Sequence, residues 1–176
     1  MKKTAIVVTV GLAVASAVVV AQNFVSVREL LTGYEEVPAV SSGASGEFTA
    51  RIRKDVPEIE WELSYSDLEG AVQQSHIHFG QTGVNGGITV FLCTNLGNGP
   101  AGIQSCPPPP AVISGTIGAA DVSPNIAATL AARNQGMGTG EIEEFIEALR
   151  AGATYVNIHS TTWQGGEVRS QIEVSK

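Results

Sequence analysis

The order of apolar and polar side chains along the chain has a period of two over most of its length, with turn residues between the alternating stretches. In GEFTARIR, Phe48, Ala50 and Ile52 point one way, and Glu47, Thr49, Arg51 and Arg53 the other. In EIEWELSY, Ile59, Trp61, Leu63 and Tyr65 form an apolar face opposite Glu58, Glu60, Glu62 and Ser64. That is the signature of a half-buried antiparallel strand. SHIHFG and YVNIHS alternate in the same way, GGITVFLC reads as a more fully apolar strand, and GEVRSQIEV closes the chain. In this last stretch Glu167, Arg169, Gln171 and Glu173 form a charged row, expected to be the solvated face of a final strand.

The period changes in one region only. In EIEEFIEALRAG, Ile142, Phe145, Ile146 and Leu149 share a helical face, with glutamates at the start, Arg150 at the end and Gly152 placed to stop the helix. Ser123-Pro124 reads as an N-cap followed by proline, which predicts a second short helix in NIAATLAAR. The helix over 141–152 is expected to cover an open end of the sheets. Together these elements predict a mostly β fold: a single antiparallel, Greek-key-like β-sandwich with one or two short helices in loops.

The N-terminus breaks the pattern. Met1-Lys2-Lys3 precedes an apolar run from Ala5 to Val20, and small residues end it at Ala21. This arrangement predicts a signal peptide over residues 1–21, cut before Gln22, and one domain over residues 22–176. An uncleaved anchor is the alternative, with a run slightly short of the ~20 apolar residues of a membrane span. Taking Lys2 and Lys3 from the 10 basic residues leaves 8 against 17 acidic ones. That acidity repels phosphate backbones and argues against nucleic acid as a partner and against stable membrane insertion after cleavage. The expected destination is secreted, periplasmic or on the cell surface.

Export changes the reading of the two cysteines. In an oxidising compartment Cys93 and Cys106 are expected to form a disulfide, with a stabilisation of about 3 kcal/mol for a loop of that size. Twelve intervening residues without a histidine argue against a metal pair. Pro107–Pro110 follows directly and predicts a stiff exposed loop.

The chain has three histidines, and two are one residue apart. In SHIHFG, His76 and His78 share a face opposite Ile77 and Phe79. In YVNIHS, Tyr155, Asn157 and His159 share a face opposite Val156 and Ile158. With the aliphatic sets turned to the core, all three histidines fall on the outer sides of their strands. If the strands are neighbours, the imidazoles converge. Three imidazoles suit copper or zinc and leave one coordination position open, with Asn157 and Glu167 as orienting groups. A polar network of His76, His78, Asn157 and His159 that fixes strand register without a metal is the competing reading. The G-x-S-x-G pattern of a nucleophile elbow is absent. The glycines after His78 precede a strand rather than a helix, unlike a dinucleotide fingerprint.

Four stretches in order resemble the CHRD domain, a module of chordin and of exported bacterial proteins: LTGYEEVP (Leu31 to Pro38), HIHFGQTGVNGG (His76 to Gly87), GATYVNIH (Gly152 to His159) and the closing Gly165 to Arg169. The resemblance spans about Val27 to Val174, with Ser170 standing where the family usually has glycine. It implies an extracellular module. HIHFG is also similar to the copper strand of copper–zinc superoxide dismutases, with His76 and His78 at the places of two copper ligands and His159 standing in for a late one. The bridging histidine and the zinc-ligand run of that family are missing, so its activity does not carry over. The sequence thus favours a non-catalytic extracellular or periplasmic binding module, whose partner is an extracellular protein or glycan. The alternative is a copper- or zinc-binding protein that uses the three histidines.

Overall fold

The structure, a computed structural model, describes residues 23–174, so the expected leader over residues 1–21 lies outside it. Eight strands form two antiparallel sheets. They are β1 (Phe24–Leu31), β2 (Ser45–Arg53), β3 (Ile59–Ser66), β4 (Val72–Phe79), β5 (Gly87–Thr94), β6 (Ala111–Ile117), β7 (Thr154–Ser160) and β8 (Val168–Gln171). The first sheet has the order β1-β2-β3-β6 and the second β5-β4-β7-β8. The pairs β3–β6 and β4–β7 join non-consecutive strands, because the chain crosses between the sheets after β3, β5 and β6. The expected β-sandwich is therefore the fold.

Alternation places the core. Phe48, Ile52, Ile59 and Leu63 of the first sheet and Ile77, Leu92, Val156, Ile158 and Val168 of the second are buried in one apolar cluster. Burying each such side chain contributes about 1.5–3 kcal/mol. The glutamates of β3 alternate to solvent, as expected. Cys93 and Cys106 are disulfide-bonded, which fits an oxidising compartment. The bond ties the end of β5 to the segment leading into the prolines and β6.

Helix α2 (Ile142–Arg150) buries Ile142, Phe145, Ile146, Ala148 and Leu149. It sits beside the β2–β3 turn, sharing a groove with residues Arg53 to Pro57. Gly152, at φ 65°, closes it. The Gly152 amide bonds the Leu149 carbonyl at 3.1 Å and the Ala153 amide the Ala148 carbonyl at 2.9 Å, a Schellman cap.

Three sequence expectations fail. First, Ser123-Pro124 opens no helix. Ser123 is held at φ 44°, with its amide on the Thr89 carbonyl and its own carbonyl accepting the Thr139 hydroxyl. A 3-10 turn (Ala127–Thr129) intervenes before the short α1 (Leu130–Asn134). Second, β1 and β6 are strands that the alternation of the sequence does not mark. In β1 the inward row is interrupted by Glu29, whose carboxylate accepts the Glu173 amide at 2.8 Å. In β6 the row Ile113–Gly115–Ile117 has a glycine at its centre, where a Cβ would meet the Trp61 indole at 3.0 Å. Third, most of the charged row in the closing stretch is not solvated: Glu167, Arg169 and Gln171 are buried, and only Glu173 at its end is exposed. The connections β1–β2, β4–β5 and β7–β8 lie over the outer face of the second sheet and cover it.

Candidate metal centre

β4 and β7 are neighbours, in a register that sets His76 opposite Asn157, His78 opposite Tyr155 and Gln74 opposite His159. Ile77, Val156 and Ile158 point into the core, so His76, His78, Asn157 and His159 project together from the outer face. That face is covered by loops. His76 has 0 % exposure, His159 6 % and His78 7 %. The ring centroids of His76 and His159 are 5.1 Å apart, those of His76 and His78 5.4 Å. One nitrogen from each of the three rings lies within 4.8 Å of the other two. Bonds of about 2 Å to a shared ion place such nitrogens roughly 3.4 Å apart, so closure requires movements on the order of 1 Å.

The hydrogen bonds orient two of the rings. His78 Nδ1 lies 3.0 Å from the Gly86 carbonyl and His159 Nδ1 2.9 Å from the Gln164 carbonyl. Their Nε2 atoms lie 3.1 and 3.0 Å from Asn157 Oδ1. Each ring thus sits between two acceptors, yet a neutral imidazole has a single N–H. Burial is the leading cause that holds all three imidazoles below their ordinary pKa, His78 down to about 4, so the rings are neutral. The Nδ1–H groups go to the carbonyls, and two Nε2 lone pairs converge beside Asn157. This is the pattern by which backbone carbonyls orient metal-ligating histidines. Turning the Asn157 amide end for end satisfies the same two lone pairs without a metal. His76 gains nothing from that rotation: neither of its ring nitrogens has a partner. Its contacts are aromatic edges, Phe91 at 4.5 Å and the other two histidines.

Around the rings lies a charged support that sequence reasoning missed. The Arg169 guanidinium stacks 3.3 Å above the centre of the Tyr155 ring. Tyr155 in turn lies parallel to His78, 4.6 Å between centroids. Arg169 donates to Asn85 Oδ1 and the Val84 carbonyl. The Gly86 amide bonds the Tyr155 hydroxyl at 3.3 Å. Glu36, from the LTGYEEVP stretch, is buried in the field of Arg169, with one carboxyl oxygen unpaired; burial pushes its carboxyl up to about 7. Glu167, expected to orient a histidine, has 0 % exposure and accepts instead from the Ser42 hydroxyl and the Glu69 amide. It pins two covering segments. The only signals for Glu36 and Arg169 in the sequence were their places in quoted motifs, which give no direction to a side chain.

A pH dependence follows. The three imidazoles titrate below 6.5 in the folded chain and near it in the unfolded one. The unfolded state therefore binds more protons in between, and stability falls as pH drops from 6.5 through about 4. Glu36 has the opposite sign, since its folded pKa of about 7 exceeds the ordinary 4.5 and stability rises as pH falls across that interval. Glu29, whose carboxyl burial also raises, acts in the same sense as Glu36, and two carboxyls against three histidines leave a net loss. In metal-free protein, the denaturation midpoint is expected to be lower at pH 5 than at pH 7, and Glu36→Gln to steepen the fall. A midpoint that rises on acidification contradicts this.

Comparison with known proteins gives one match: the family model of the CHRD domain covers residues 27–172. No curated protein and no solved structure matches the chain.

Proposed function

The chain belongs to the CHRD domain family, and from that premise we propose that it is an exported module that holds one copper or zinc ion on His76, His78 and His159. The observation that supports this most directly is His76: an imidazole at 0 % exposure with both nitrogens unpaired, facing two inward-turned lone pairs. A buried polar atom without a partner costs about 1–3 kcal/mol, and a network that only fixed register would satisfy it. An ion at the centre of the trio uses all three lone pairs at once. The donors fit late first-row metals, for which imidazole is a common ligand. The Cys93–Cys106 disulfide agrees with export, and a leader over residues 1–21 is part of the same reading.

The test is metal content. The protein is expressed with its own leader, purified without chelator or polyhistidine tag, and assayed for copper and zinc beside its intact mass. One ion per chain is expected, on a mass that begins at Gln22, with the ion lost in both His76→Ala and His159→Ala. Folded wild-type protein that neither carries nor takes up either metal overturns the assignment. An intact Met1 on exported protein overturns the leader.

A further inference from the structure

Resting on that metal reading, we propose that the site prefers the monovalent cuprous ion to zinc and cupric ions. The charge of the donors favours the monocation. Among the described residues the cluster comprises three imidazoles and no carboxylate. Both cysteines are in the disulfide, so no thiolate joins it. Neutral donors leave the whole charge of the ion uncompensated. The cost of moving an ion out of water grows with the square of its charge, so a dication costs about four times as much as a monocation of similar size. The site is deep enough for this to matter, with ligand exposures of 0 %, 6 % and 7 %.

A positive charge is already in place beside the cluster. The Arg169–Tyr155–His78 stack sets a guanidinium one aromatic ring away from a ligand ring. Its neighbour Glu36 lies in the field of Arg169 and outside the ligand cluster, so it offsets the guanidinium rather than the ion. A second positive charge next to this stack is disfavoured, and a third more so.

Coordination number acts in the same direction. Zinc is almost always four-coordinate, with a water or a further side chain completing three protein ligands. Here the space around the trio is occupied by protein. His76 abuts Phe91 edge-on at 4.5 Å, and Asn157 lies between the other two rings. Three nitrogens without a fourth ligand suit a cuprous ion, which is satisfied by trigonal coordination.

The experiment uses the mature chain with its disulfide intact. Cuprous ion is supplied under ascorbate and buffered with bicinchoninate; zinc and cupric ions are titrated against chelators of known affinity. The expected result is binding of cuprous ion about 100-fold tighter than cupric, which raises the potential of bound copper by about 120 mV over the free couple. One equivalent of cuprous ion is expected to displace bound zinc. Asn157→Asp, which adds a carboxylate of the same shape beside both Nε2 atoms, is expected to shift the ratio toward zinc by at least about tenfold. Zinc or cupric ion bound as tightly as cuprous overturns this proposal and leaves the metal site standing. An unchanged ratio in Asn157→Asp overturns the charge argument. Failure of all three ions to bind overturns the proposal together with the reading it rests on.

Discussion

Replacement of Arg169 by alanine is expected to lower the unfolding free energy by about 3–5 kcal/mol, the cost typical of truncating a large, buried and hydrogen-bonded side chain whose charge also faces a buried carboxyl. Arg169 is 2 % exposed and among the largest fully buried side chains of the protein. Its loss removes two hydrogen bonds to the β4–β5 turn and the cation over Tyr155. It also leaves Glu36 buried without its positive neighbour. Part of the loss therefore belongs to the stranded carboxyl, and adding Glu36→Gln is expected to recover some of it. Urea denaturation at pH 8, where Glu36 is largely ionised, measures all three proteins. A change below about 1 kcal/mol in Arg169→Ala puts the residue in the class of solvated surface charges, contrary to its burial.

The second large effect has an unusual sign. His76→Phe is expected to stabilise the metal-free protein by about 1–3 kcal/mol while abolishing metal uptake. Both nitrogens of His76 are desolvated and unpaired, so exchanging them for carbon removes a cost without removing a bond. The surroundings accept a ring: Phe91 lies edge-on at 4.5 Å, and the two other imidazoles flank it. His78→Phe is the control. It loses the bonds to Gly86 and Asn157, and a lower stability is expected. Thermal unfolding in chelator gives the stability arm and elemental analysis the metal arm. If His76→Phe destabilises as much as His78→Phe, His76 has a hydrogen-bonding role in the free protein and the case for a vacant ligand fails.

The architecture was legible in the sequence wherever one face of a strand meets water. β3 is the clearest case, with Ile59, Trp61, Leu63 and Tyr65 buried and its glutamates outside. The same rule brought His76, His78, Asn157 and His159 to one face before their strands were known to pair. It failed where both faces of a strand are covered. β7 is buried at every position and β8 likewise, so an outward side chain there is no sign of solvent. Polar character in β8 pointed to a wet surface, whereas Arg169 is satisfied by Asn85, Val84 and Tyr155, groups that long loops bring in from elsewhere. Alternation reports a strand's own two faces and carries no information about what a distant loop lays over them. β6 was missed for a related reason: Gly115 is the space into which Trp61 of the neighbouring strand fits, so the missing apolar residue is supplied from another strand.

The pairing of β4 with β7 also has a consequence in time. The Ser75 hydroxyl and the Asn157 carbonyl, which meet at 2.7 Å beside the histidines, are 82 residues apart in the chain. Such contacts must meet the entropy of closing a long loop before they return anything, which places them among the slower events of folding. No fragment that ends before β7 can assemble the trio. A nascent chain that ends before β7 therefore offers only the His76–His78 pair, a weak chelate, and the full site first exists in the compartment where folding is completed. On the proposed metal reading, the ion is then decided less by the cell's total metal than by what is free in that compartment when the last strands close.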